Sequence, residues 1–143
     1  MAGARHFSEL IAWQLADRMR VLVFGLTGRT PFDRDLKARS QLDDAVNSVC
    51  RNIAEGFGCD SHREFARFLS ISRRSLNELL DGLIAAVQKG YVTQEDVAPA
   101  RALSERLYPA ISNLKRYLSN TDRPPRPGSN RPSRRERNRT DKR

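Results

Sequence analysis

At 143 residues the chain has the length of one domain built around a single core. Two cysteines make no disulfide framework, which excludes a disulfide scaffold, and no run approaches the roughly 18 apolar residues that a membrane-spanning helix needs. The net charge of +9 is unevenly placed: residues 119–143 hold nine basic and three acidic side chains, residues 1–118 hold 17 and 14.

Four segments show helical periodicity and none sustains strand alternation. The first is expected from about Ser8 to Leu26, with Ile11, Leu15, Met19, Leu22 and Leu26 on one face. Leu10, Trp13, Val21 and Phe24 gather roughly opposite that face, interrupted by Asp17. A second apolar stripe of this kind predicts an interface between copies.

The second segment is expected from about residue 34, capped by Asp33, to Phe57. Leu42, Val46, Val49, Ile53 and Phe57 share its face. Gly56 and Gly58 stop it, and one of them is expected at positive φ, where glycine carries no Cβ penalty. Beside the apolar face, Gln41, Ala45, Ser48, Asn52 and Glu55 form a polar seam within about 60°. It reads either as a solvated face or as a hydrogen-bonded contact with another helix or subunit. Small polar groups in place of Lys and Glu favour the packed reading, in which Glu55 needs a partner such as Arg67, Arg73 or Ser75.

The third helix opens on Ser61-His62-Arg63-Glu64, a capping-box pattern, and Gly90 ends it. Phe65, Phe68, Leu69, Leu76, Leu79, Leu80, Leu83 and Val87 make its stripe. Opposite the stripe, Arg63, Arg67 and Arg74 align within about 40°. They are candidate phosphate clamps, although Glu78 and Asp81 continue the same face and offer intrahelical pairing instead.

The fourth helix is signalled by Thr93 and Asp96, with Pro99 as a rival start. Its stripe is Val97, Leu103, Leu107, Ile111, Leu114 and Leu118, and Pro109 lies inside it. Short loops between long helices give an all-α, antiparallel up-down-up-down four-helix bundle over residues 1–118. Residues 119–143 contain four prolines and no large apolar side chain, which predicts a disordered basic tail.

Three motifs carry a resemblance. Asn52-Ile53-Ala54-Glu55-Gly56 closes the second helix, Ile71-Ser72-Arg73-Arg74-Ser75-Leu76-Asn77-Glu78 lies in the third, and Gly90-Tyr91 follows it. From about Phe7 to Leu118 the chain resembles the small bacterial four-helix-bundle proteins that include the intervening-sequence protein of large-subunit ribosomal RNA. Asn52, Glu55, Gly56, Ser75 and Glu78 are the residues matching that pattern. Arg74 stands where the family has glycine, and Cys59 where arginine is common. The resemblance implies cytosolic homo-oligomers, commonly pentameric rings. It also implies kinship with the accessory variability proteins of diversity-generating retroelements, which bind nucleic acid beside a reverse transcriptase.

Enzyme chemistry has little to stand on. There are two histidines, His6 and His62, no zinc-protease or Cys-x-x-Cys motif and no phosphate loop. Cys50, Cys59 and His62 offer three ligands at a spacing unusual for zinc, and Ser75 has no histidine near it in sequence. The expectation is a protein without catalytic residues, metal or other cofactor, in the cytoplasm. Arg123, Arg126, Arg131, Arg134, Arg135, Arg137 and Arg139, with Lys142 and Arg143, make the tail a candidate for sequence-independent attachment to RNA or DNA. The leading expectation is therefore a homo-oligomeric nucleic-acid-binding scaffold or accessory protein. The rival is an oligomeric adaptor for another protein, whose tail only keeps it soluble.

Overall fold

The computed structural model describes residues 3–121. The expectations for Arg123, Arg126, Arg131, Arg134, Arg135, Arg137 and Arg139 lie outside the described residues. A 3-10 turn at Phe7–Glu9 leads into α1 (Ile11–Thr27), and a second at Phe32–Arg34 leads into α2 (Leu36–Phe57). Then follow α3 (His62–Gln88) and α4 (Gln94–Ser119). The principal packings are α1 on α2, α2 on α3, α3 on α4 and α1 on α4, which close the bundle. Met19, Val46, Ile53, Leu76, Leu107 and Ile111 are fully buried at its centre.

Two starts differ from the sequence reading. The 3-10 turn at Phe7–Glu9 leaves Leu10 extended (φ −72°, ψ 129°) as the N-cap of α1. Helical angles do not apply to an extended residue, so Leu10 turns inward and is buried, while Ile11 is 68% exposed. Leu10 therefore leaves the outward stripe and Ile11 leaves the core stripe. Similarly, residues 32–34 form their own turn in order to bury Phe32, whose ring meets Tyr91 with centroids 5.2 Å apart. Asp35, not Asp33, then caps α2 by accepting from the Ala38 N–H at 3.1 Å.

The turn between α2 and α3 also corrects an expectation. Neither Gly56 nor Gly58 has positive φ; Gly58 ends α2 at φ −78°, ψ −7°. The helix closes by tight bonds, Gly58 N–H to the Glu55 carbonyl and Cys59 N–H to that of Gly56, both at 3.1 Å. Gly56 is needed for space instead. A Cβ there would lie 2.5 Å from Phe65 Cδ2 and 3.0 Å from Phe68 Cβ, so its bare backbone is what lets α3 start so close to α2. The left-handed turn residue is Gly90 (φ 76°), where Tyr91 N–H reaches back to the Ala86 carbonyl at 3.0 Å.

Ser61 caps α3 by accepting from the Glu64 N–H at 3.1 Å. Thr93 and Asp96 form the reciprocal box that starts α4, which begins at Gln94 and runs through Pro99 rather than starting there. Both Pro99 and Pro109 lie on the exposed side, where the carbonyls they leave without an intrahelical partner can turn to water.

Candidate nucleic-acid interface

α3 is held by its buried stripe on α2 and α4, which turns the opposite ridge to solvent. Arg63, Arg67 and Arg74 are all exposed on that ridge, spanning about 16 Å at 1.5 Å per residue. Among the described residues the ion pairs within 4 Å are Arg20–Asp17, Arg29–Asp96, Arg39–Asp43 and Lys89–Asp35, and none involves this ridge. Glu78, four residues beyond Arg74, is exposed and does not pair with it, nor does Asp81. The Arg67 guanidinium lies over the Phe68 ring, 4.8 Å from its centroid. Three cations that spend no charge on neighbouring carboxylates are available to phosphates.

The last described residue, Thr121, lies beside this ridge. His62 Nδ1 lies 2.7 Å from the Thr121 carbonyl and 2.9 Å from its hydroxyl. A carbonyl only accepts, so the imidazole proton sits on Nδ1 and is shared between the two oxygens. The Thr121 hydroxyl in turn donates a hydrogen bond to the Tyr117 carbonyl at 3.0 Å. Thr121 is thereby fixed in a cleft whose wall includes Arg63, and the nine cations of residues 123–143 follow in sequence from that point.

The polar seam of α2 divides. Ser48 turns toward α3, its hydroxyl 2.7 Å from that of Ser75, and the buried Asn52 braces it within α2, its Nδ2 donating to the Ser48 carbonyl at 2.8 Å and hydroxyl at 3.0 Å. Ser72 adds a bond to the Val49 carbonyl at 2.9 Å. Gln41 and Glu55 are exposed instead, so Glu55 buries no charge. Of its supposed partners, Ser75 is engaged by Ser48, Arg67 lies over Phe68 and Arg73 over Tyr108.

The chain's residues 8–113 match the family model of the 23S rRNA-intervening sequence protein. The chain belongs to that family. No curated protein matches it. The residues expected from the family pattern have distinct physical roles. Ser75 ties α3 to α2 through Ser48, which Asn52 braces from within α2, Gly56 admits Phe65 and Phe68, and Glu55 and Glu78 face solvent. Arg74 is exposed.

Of the expected self-association residues, Val21 is 66% and Phe24 42% exposed. Trp13 is half-buried, its ring 5.2 Å from that of Phe7, because the opening 3-10 turn folds over it. Val21 and Leu22 also floor an open groove against Pro99, Ala102 and Leu103 of α4, rimmed by Arg18 and Arg106. Burial pushes the Cys50 thiol pKa up to about 11, and burial likewise raises that of Cys59. No group of three or more His, Cys, Asp or Glu side chains among the described residues is arranged to hold a metal, and none of their helices is long and apolar enough to cross a membrane.

One feature was missed from sequence. Tyr108 is 38% exposed on α4, and the Arg73 guanidinium lies 5.9 Å from its ring centroid. Tyr108 lies outside the apolar stripe of α4, and only the packing of α4 on α3 shows its ring beside Arg73.

Proposed function

We propose that this member of the 23S rRNA-intervening sequence protein family is a non-catalytic, self-associating scaffold that binds nucleic acid. Arg63, Arg67 and Arg74 supply one set of phosphate contacts, and Arg123, Arg126, Arg131, Arg134, Arg135, Arg137 and Arg139 supply a second. RNA is the favoured ligand because of the family to which the chain belongs. A ring of subunits, with five as the expected number, would repeat the α3 ridge around one particle and raise avidity without any new contact. The observation that carries the reading is the α3 ridge: three exposed guanidiniums with no carboxylate partner among the described residues.

The test is binding to a random-sequence single strand over a range of salt. Phosphate contacts release counterions, so affinity must fall steeply as salt rises. An adaptor that docks a protein through Val21 and Phe24 would bind no strand and would tolerate salt. No loss of affinity across the salt range would refute the phosphate-binding reading.

A further inference from the structure

Arg73 and Arg74 are consecutive, yet they serve different faces of α3. Arg74 stands on the exposed ridge with Arg63 and Arg67, whereas Arg73 turns about 100° away toward α4 and lies over the Tyr108 ring. The adjacent Leu107 and the nearby Ile111 are fully buried and anchor this part of α4, while the Tyr108 ring remains 38% exposed. A part-exposed aromatic ring thus carries the guanidinium of Arg73 5.9 Å from its centroid, and Arg74, the next residue, stands on the ridge of cations without an ion pair.

We propose that the Arg73–Tyr108 pair is a stacking site for an unpaired nucleobase, with Arg63, Arg67 and Arg74 holding the phosphates of the same strand. This rests on the nucleic-acid reading above and narrows it to single-stranded ligand. Every base offers a π-face to tyrosine and to the guanidinium plane, so such a site tolerates any sequence. In a duplex the same faces are occupied by neighbouring bases, so a double helix offers only its phosphates to the ridge. The tail has no aromatic residue, so within this scheme base contact falls to the bundle and bare charge to the tail.

The full chain is titrated with a fluorescein-labelled oligothymidylate, with an abasic strand of the same length and with a duplex, following anisotropy at one salt concentration. Wild-type protein should bind the thymidylate more tightly than the abasic strand. Tyr108→Leu should weaken thymidylate binding by about 5- to 150-fold, the range for loss of one stacked base. It should leave the abasic and duplex affinities unchanged. Tyr108→Phe, which keeps the ring, should bind as wild type and guards against misfolding as the cause. Equal wild-type affinity for thymidylate and abasic strands, or an unaltered Tyr108→Leu, would overturn the stacking site while leaving the phosphate contacts standing. Failure of wild type to bind any strand at low salt would overturn both.

Discussion

Three glycines within helices differ in what surrounds them, and replacing each by alanine should separate space from propensity. In a helix interior alanine is favoured over glycine by about 0.5–1 kcal/mol. At Gly25 nothing lies within 4 Å of an added Cβ, so Gly25→Ala should realise that gain. At Gly82 the Cβ would meet Leu42 Cδ1, the mobile end of a side chain that can change rotamer, so Gly82→Ala should fall near neutral. At Gly56 the neighbours are Phe65 Cδ2 at 2.5 Å and Phe68 Cβ at 3.0 Å. Phe65 is 1% exposed and packs edge-on against Phe57, with centroids 6.4 Å apart, so the ring has nowhere to go. Overpacking of this kind costs about 1–3 kcal/mol, which exceeds the propensity gain and leaves Gly56→Ala destabilised by roughly 1–2 kcal/mol. Urea unfolding followed by far-ultraviolet circular dichroism gives all three values. If Gly56→Ala matched Gly25→Ala in sign, the close approach of α2 and α3 at Gly56 would be refuted.

Ser75→Ala should cost about 1 kcal/mol by breaking the bond to Ser48, whereas Glu55→Ala should stay within about 0.5 kcal/mol, and equal costs in urea unfolding would deny the division of the seam. Asp35 and Asp96 are held below the usual carboxylate range, Asp35 first by the Tyr91 hydroxyl and Asp96 first by the Thr93 N–H. A lowered folded-state value adds stability that is present above about pH 4 and is lost as pH falls, so the double change Asp35→Asn and Asp96→Asn should flatten the acid limb of the urea midpoint. A limb as steep as that of wild type would count against these contacts. Val21→Glu with Phe24→Glu should give smaller particles by light scattering with helicity retained, and a wild-type monomer at micromolar concentration would end the self-association proposal.

The stripes of α2, α3 and α4 were legible because an apolar residue every three or four positions leaves few other burial patterns. Val46, Leu69 and Leu107 fall where the period puts them. Errors cluster where short 3-10 turns precede a helix. Extending helical angles back from Ile11 misplaced Leu10, and counting the cap from Asp33 overlooked the turn that buries Phe32. Asn52 and Ser48 were legible as a packed pair because their spacing and size fit a seam, but Glu55, one turn on, shares their angle and still escapes, since α2 ends two residues later at Phe57. The Gly56 contact depends on where α3 begins after the turn, which no pattern within α2 encodes. The guanidinium row on α3 could be read from angle alone. Its freedom from Glu78 could not, because spacing permits the pair without requiring it.

The most direct measurement is the salt slope of single-strand binding for the full chain and for the triple change Arg63→Gln, Arg67→Gln and Arg74→Gln. Each phosphate contact on a single strand contributes about 0.7 to the slope of log K against log salt. Three contacts from the ridge should therefore make the triple variant shallower by roughly 2, with the remaining slope carried by the tail. A slope and affinity equal to those of wild type would contradict the claim that the α3 ridge holds phosphates.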